Sequence, residues 1–340
     1  TPTQGYIGGS VLTRLLSHTL SDTFQITVLV RDPAKATQFR MMGIKAVIGS
    51  YQDTTLLKRL SSEADYVFAC ADADDLDAAK AILEGLKERH DKTGQSPSLI
   101  HTVSYLRVLV DNERGMHSTD KVYSDLNIPL IESLPDSQPH RIVDRSLVEA
   151  DNQGYVHTYI ILPGTIYGEA SGPLVDLGVQ NAYSQQIPRL VKLSLQRGQA
   201  GMVGEGKNTW PNVHIDDVAD LYIHLFDLIL PTDANHRNPH RAVPAHGRSG
   251  FYFAENGEHH LVQVGKAIGQ AMHEFGLSSS PRPMAFTEEE MDKFFPNGTS
   301  LGTNSRCKAE RSKKLGWRPR KTTKDMVSSV REEVKRLGNV

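Results

Sequence analysis

Short β-branched runs alternate with amphipathic stretches through the first half of the chain. Residues 25–30 (QITVLV), 45–48, 66–69, 98–102 and 158–162 (TYIIL) read as strands. The stretches 8–16, 33–42, 54–61 and 75–89 read as helices. The last of these carries Ala79, Ile82, Leu83 and Leu86 at i, i+3, i+4 and i+7, the stripe that one helix face buries. Strands separated by helices in this way predict repeated βα units and a parallel sheet, with 66–69 as a buried strand. Residues 111–139 break the alternation and are rich in Asp, Ser and Pro. A long irregular stretch there is expected to cover the mouth of a site. Past Pro163 the character changes: helices at 187–196, 216–230, 262–275 and 308–314 mix with short strands near 212–215 and 250–253.

Composition narrows the classes without naming one. The 340 residues are 39% hydrophobic and 23% charged, ordinary for a globular protein with a sizeable core. A net charge of −2 gives no general attraction to nucleic acid or to anionic lipid. The most apolar helical run, 218–230, contains Asp220, His224 and Asp227, which excludes a spanning helix. No N-terminal stretch has the form of a secretory signal. The two cysteines, Cys70 and Cys307, make no disulfide framework, and a reducing cytoplasm is the expected setting. Cys70 reads as a small buried filler. The basic residues between 306 and 324 are broken up by acids and apolar positions, so a solvated surface is expected there, with a phosphate site as the alternative. His236, His240 and His246 share a loop, but their spacing fits no zinc pattern, and no metal is expected.

The chemistry begins at Gly5-Tyr6-Ile7-Gly8-Gly9-Ser10, which precedes a helix carrying Val11, Leu12, Leu15 and Leu16. Glycines let backbone approach a pyrophosphate, and a helix N-terminus faces its charge. Gly5, Tyr6, Ile7 and Gly8 are therefore candidate cofactor contacts. About twenty residues on, a strand ends in Arg31-Asp32-Pro33, where a dinucleotide fold reads the adenosine ribose. Arg31 suits a 2′-phosphate because its guanidinium is a planar fork of donors. Asp32 suits a free 2′-hydroxyl, and a turn followed by a helix N-cap is the plainer reading of the same residues.

With these motifs the sequence resembles the extended and atypical short-chain dehydrogenase/reductases, the NAD-dependent epimerase/dehydratase-like family. The resemblance runs nearly the whole length. Gly49-Ser50-Tyr51-Gln52-Asp53 is similar to the family's segment after the third strand, with Ser50 where adenine is contacted. Residues 66–71 (YVFACA) are similar to the fourth-strand segment, in which Ala69 and Ala71 let the cofactor pass. Residues 158–168 (TYIILPGTIYG), 210–222 (WPNVHIDDVADLY) and 314–319 (KLGWRP) are similar to three later motifs. In the second, Asp216 or Asp217 is expected to cap a helix; in the third, Gly316 is expected to terminate one.

The resemblance implies an α/β fold, a Rossmann-type doubly wound parallel sheet with a smaller C-terminal α/β substrate lobe. Residues 1–165 would form the dinucleotide-binding domain, rejoined by 212–230, and 166–340 mainly the substrate lobe and C-terminal helices. It implies NADP or NAD as cofactor, with Arg31 favouring NADP, and Thr102, Pro163 and Thr165 as further cofactor contacts. A small-molecule substrate and a monomer or homodimer are expected, with neither nucleic acid nor membrane as partner.

Two departures stand out. Pro2 occupies the place of the family's first glycine, and the strand that precedes it is missing from the sequence. The expectation is a fragment or a damaged cofactor site, exposed strand edges, and poor solubility. The family's Tyr-x-x-x-Lys is also missing: none of the eleven tyrosines has Lys four residues on. Ser104 matches the family's hydroxyl position. The Tyr place falls on His140 or Arg141 and the Lys place on Asp144 or Arg145. Three readings stay open: His140 as substitute acid/base, Tyr123 entering from the irregular stretch, or a site without acid–base chemistry. The function expected is an NAD(P)-dependent oxidoreductase or epimerase on a small carbonyl, alcohol or nucleotide-sugar. The alternative is a non-catalytic dinucleotide sensor.

Overall fold

The structure is a computed structural model and describes residues 5–103, 108–231 and 241–340. The chain opens with α1 (Tyr6–Leu16), β1 (Thr27–Val30), α2 (Pro33–Met41), β2 (Lys45–Ile48), α3 (Thr54–Ser62), β3 (Tyr66–Ala69), α4 (Leu76–Thr93) and β4 (Ser98–Thr102). The middle holds β5 (Tyr123–Ser124), α5 (Ile128–Glu132), α6 (Arg141–Asn152), β6 (His157–Pro163), β7 (Thr165–Tyr167), α7 (Pro173–Asp176), α8 (Gln186–Arg197), β8 (Gly201–Met202), β9 (Thr209–His214) and α9 (Ile215–Ile229). The end adds β10 (Phe251–Ala254), β11 (Glu258–His260), α10 (Leu261–Glu274), β12 (Met284–Ala285), α11 (Glu288–Phe294), β13 (Cys307–Lys308), α12 (Glu310–Lys314) and α13 (Thr323–Gly338).

Three aspartates start the early helices. Asp32 Oδ1 accepts from Ala34 N–H at 2.8 Å, Asp53 Oδ1 from Leu56 N–H at 3.0 Å, and Asp75 Oδ1 from Ala78 N–H at 2.9 Å. Each satisfies an N–H that the first turn leaves without an intrahelical partner. Asp32 is thus an N-cap, with Pro33 at the first helical position.

Most strands pair in parallel, but not in one sheet, and β11 pairs antiparallel with β9. β3, β4, β6 and β10 pair in parallel in the order β10–β6–β4–β3, while β1 and β2 form a separate parallel pair. Between β1 and β3 lies a trough of about 990 Å³, lined by Leu15, Leu29, Leu60, Phe68, Ile82 and Phe226 among others. Here a sequence expectation needs correcting. β4 is buried along its whole length, whereas Tyr66, Val67 and Phe68 of β3 are only half-buried. An apolar strand loses solvent only where a neighbour covers it, and one edge of β3 faces the trough.

A second core sits at the C-terminal side, where α8, α10 and α13 pack Val191, Ile268, Met272, Met326, Val330 and Val334 together. The sequence reading missed α13, whose Met326, Val330 and Val334 recur every four residues. Residues 111–139 are less irregular than expected, since they hold β5 and α5. β5 pairs in parallel with β13, tying this stretch to the far end of the chain. Asp125 reinforces the tie by accepting N–H groups from Phe253, Arg311 and Ser312.

Neither Asp216 nor Asp217 caps α9. The cap is His214, whose Nδ1 accepts from Asp216 N–H at 3.2 Å. Asp216 pairs with Arg14 of α1, and buried Asp217 accepts the N–H groups of Arg320 and Lys321. The basic run near the C-terminus is not simply a solvated face: Arg306 pairs with Glu258, and Lys313 with the buried Glu255. Gly316, at φ +111°, follows the end of α12 as expected. No described helix is long and apolar enough to cross a membrane.

Candidate active site

In open parallel α/β sheets, ligands bind beyond the carboxyl ends of the strands, where the βα loops lie. Two groups of residues stand there, one around the start of α1 and the end of β1, the other around the start of α6.

At the first, α1 begins at Gly5 without a side-chain cap and without an acidic residue in its first turn. The first-turn N–H groups have no intrahelical partner, and with the helix dipole they form a donor set that fits a pyrophosphate. The start of α1 is pinned by side chains. Tyr6 Oη donates to Gly168 O at 2.5 Å, and Gln180 Nε2 donates to Tyr6 O at 3.2 Å and to Ser10 Oγ at 3.0 Å. Gly9 is required for that packing, because a Cβ there would lie 2.3 Å from Gln180 Cδ. Tyr6 was expected as a cofactor contact; its side chain is buried as a strut, leaving only its backbone for that role. Ile7 is half-buried and Gly8 buried beside it. Arg31, past the end of β1, is exposed and makes no ion pair among the described residues. Ser50 bonds Gln52 in a local turn.

At the second, His140 is the N-cap of α6 with φ +70°, a left-handed conformation unfavourable for a side chain of this size. Such strain costs on the order of 1–3 kcal/mol and persists only where surrounding contacts over-determine it. Asp74, in the loop between β3 and α4, supplies those contacts. Its Oδ1 accepts His140 N–H at 2.8 Å and His140 Nδ1–H at 2.7 Å. The His140 side chain is 2% exposed and that of Asp74 53%, so the pair runs from surface to interior.

Three more polar side chains are buried with the pair. Arg141 donates from Nε to Leu134 O and from Nη2 to Glu132 O, both at 3.3 Å. Asp144, one turn into α6, is fully buried, and neither carboxyl oxygen has a hydrogen-bond partner. Burial pushes its carboxyl up to about 8, against the pull of Arg141 and with the added push of Asp74. His101 of β4 is likewise buried with Nε2 unpartnered. Burial, then nearby His140, push its imidazole down to about 4, opposed by Asp74. Near neutral pH, Asp144 therefore holds its proton and His101 is uncharged.

The remaining candidates divide between lining and core. Thr102 is buried at the end of β4 with its hydroxyl on Tyr222 Oη, and Cys70 shares that contact. Burial raises the Cys70 thiol, which suits a filler rather than a nucleophile. Ala69 is buried and Ala71 half-buried at the carboxyl end of β3. Pro163 ends β6, and Thr165 begins β7 with its hydroxyl on Gln186 Oε1 at 3.0 Å. Tyr123 lies in β5, buried in the main core beneath Lys121, and takes no part in the Asp74–His140 pair. Ser104 lies outside the described residues, as do His236 and His240. His246 bonds Asp151 at 2.9 Å and stacks on His157, and no metal-binding group of three occurs among the described residues. The sequence reading missed Asp74 and His101 as site residues, although Asp72, Asp74 and Asp75 cluster directly after β3.

These features define a dinucleotide-binding α/β protein, and comparison with known proteins narrows the class. Residues 3–93 match the family described as NAD(P)H-binding. Oxidase ucsJ from Acremonium sp is 30% identical over 350 residues, covering 98% of this chain and 96% of that protein. Among solved structures, UDP-glucose 4-epimerase from Thermotoga maritima with UDP-glucose has a TM-score of 0.62 at 15% identity, over 98% of this chain and 97% of the other. The DesIV dTDP-glucose 4,6-dehydratase double mutant from Streptomyces venezuelae, with NAD and DAU bound, has a TM-score of 0.63 at 15% identity, over 98% and 95%. The chain belongs to the extended short-chain dehydrogenase/reductase family, with an NAD(P)H-binding domain at its N-terminal side.

Proposed function

We propose that this protein is an NAD(P)-dependent oxidoreductase for a small carbonyl or alcohol, with His140 as its acid/base in place of tyrosine. The observation that carries this reading is the Asp74–His140 pair: a buried histidine in a strained conformation, bonded twice by one carboxylate at the carboxyl end of the sheet. Bound there, the dinucleotide supplies or accepts a hydride. His140 supplies the matching proton to the carbonyl oxygen, or takes it from the alcohol. Asp74 fixes the orientation of the ring through Nδ1, and the imidazole would carry the transferred proton. The backbone of Gly5 to Gly8 would hold the pyrophosphate. Arg31 would take a 2′-phosphate, which favours NADP over NAD. Relatives agree in kind: one is named an oxidase, and the epimerase and dehydratase structures hold sugar nucleotides or NAD.

The test is NADPH oxidation against a panel of aldehydes and ketones, with His140→Ala beside the wild type. Turnover lost in the variant supports the reading; turnover unchanged in the variant overturns it. A non-catalytic dinucleotide sensor is the second reading, favoured by the absence of any Tyr-x-x-x-Lys. Micromolar NADPH binding without turnover on any substrate of the panel would select it.

A further inference from the structure

The start of α1 is held by residues that lie far along the chain, beyond β7. Gln180, in the loop between α7 and α8, is 6% exposed. Both N–H groups of its side-chain amide are used, one on Tyr6 O at 3.2 Å and one on Ser10 Oγ at 3.0 Å. Ser10 Oγ–H donates to the same Tyr6 O at 2.8 Å, so three groups close a ring on one carbonyl of the first helical turn. A carbonyl cannot donate, so only the nitrogen end of the amide can face it, and the orientation of Gln180 is fixed. The oxygen end, Oε1, is buried without a hydrogen-bond partner. Packing against Gly9 needs no amide, and an apolar side chain of the same length would avoid the cost of that unpaired oxygen. The loop is built to present this residue. Val179 N–H and Gln180 N–H both donate to Leu174 O, Val179 packs with Leu12 and Leu174, and Ala170 N–H on Ala182 O closes the base.

Tyr6 O and the N–H of Ile7 belong to one peptide unit. Donation into the carbonyl draws charge through that unit and makes its N–H a stronger donor, as in any chain of hydrogen bonds. Gly9 N–H closes the first helical bond, on Gly5 O, so the N–H groups of Ile7 and Gly8 precede the ladder and have no intrahelical partner. We propose that Gln180 is a positioning residue for the cofactor's pyrophosphate: by donating into Tyr6 O it fixes the first turn of α1 and strengthens the Ile7 N–H as a phosphate donor. It acts through the Tyr6–Ile7 peptide and does not itself touch the cofactor. Dinucleotide affinity then depends on a loop well outside residues 3–93, the part that matches the NAD(P)H-binding family. The proposal rests on the dinucleotide-binding part of the reading above, not on its acid–base part.

The experiment is calorimetry of NADPH and of ADP-ribose, which share the pyrophosphate, on wild type, Gln180→Met and Gln180→Glu. Gln180→Met keeps the length of the side chain and its packing against Gly9 but loses both donors. It should weaken both ligands by the same factor, about two- to tenfold, the usual net effect of a lost buried hydrogen bond. Gln180→Glu keeps the size and donates only while protonated. Its affinity for ADP-ribose, relative to wild type at each pH, should therefore fall as the carboxyl ionises. A purely structural role would leave a folded Gln180→Met with wild-type affinity for both ligands, and that result overturns the proposal. Weakened NADPH with unchanged ADP-ribose overturns it too, because the effect would then lie outside the pyrophosphate. So does an affinity of Gln180→Glu that keeps a constant ratio to wild type across pH, and this arm decides the matter if Gln180→Met does not fold. Absence of NADPH binding by the wild type removes the dinucleotide reading and this proposal together; tight wild-type binding that neither variant changes removes this proposal alone.

Discussion

The two ends of the candidate site are built from different materials. At the α1 end the working groups are backbone N–H donors at a helix start, with one exposed guanidinium nearby. At the α6 end they are buried side chains, namely His140 on Asp74, a protonated Asp144 and a neutral His101. A phosphate cradle made of backbone needs only glycines and a helix, so it tolerates wide changes of sequence. A proton-handling cluster needs particular side chains in particular surroundings, and there this chain departs from its family. Conserving the first end preserves the cofactor class, while changing the second changes the chemistry or how it is tuned.

The comparison breaks most sharply at His140. His140→Ala is expected to lower kcat by about 10²–10⁴, the usual worth of a positioned acid/base, with the Kd for NADPH within a few-fold of wild type. Steady-state kinetics beside fluorescence titration checks both halves, and parallel loss of binding would mean that the two ends are not separable.

A smaller effect, about 2 kcal/mol, is expected in stability at Asp144. The folded state keeps this proton up to about pH 8, whereas an ordinary Asp releases it near 3.8. Between these values the folded state binds more protons than the unfolded, so stability falls as pH rises and stops falling above 8. Asp144→Asn removes that penalty, so its advantage over wild type should grow by about 1 kcal/mol per unit from pH 6 to 8. Urea unfolding at the two pH values measures it, and an advantage that shrinks with pH contradicts the assignment.

At the α1 end, Arg31→Ala should weaken NADPH by about tenfold and leave NADH unchanged, as a lost contact to the 2′-phosphate predicts. Equal loss for both cofactors would move Arg31 out of adenosine recognition. The smallest effect belongs to Asp32. Asp32→Ala should cost about 1 kcal/mol through the lost cap of α2, with cofactor choice unaffected. A switch of cofactor preference in this variant would show that Asp32 reads the ribose as well as capping the helix.

Much of the first half was legible because its signals are local. The expected ends of the strands at Val30, Ile48 and Thr102 match the structure, and the helix behind Asp75 starts within a residue of its expected place but runs four residues further, to Thr93. Apolar alternation, an aspartate cap and a helix stripe all act over a few residues. β1 and β2 pair apart from the sheet that holds β3, and Tyr66, Val67 and Phe68 are only half-buried, against the expectation of a buried strand and in line with that of exposed strand edges. Helix α13 was overlooked because charged residues outnumber its apolar stripe, and the cap of α9 was given to aspartates when His214 holds it. His140 and the place of Asp144 were reached by counting along a helix, but their burial was not.

What the sequence determined by itself is the class: βα units, a glycine-bearing helix start, an arginine after the first described strand, and no tyrosine paired with lysine. These are properties of adjacent residues, and adjacency is what a sequence records. What only the tertiary structure decided is the company each polar side chain keeps. Asp74 and His140 are sixty-six positions apart and share one carboxylate oxygen, and Asp144 keeps its proton only because packing excludes both water and partners. Desolvation and long-range contact set the state of those groups, and neither is written in local order.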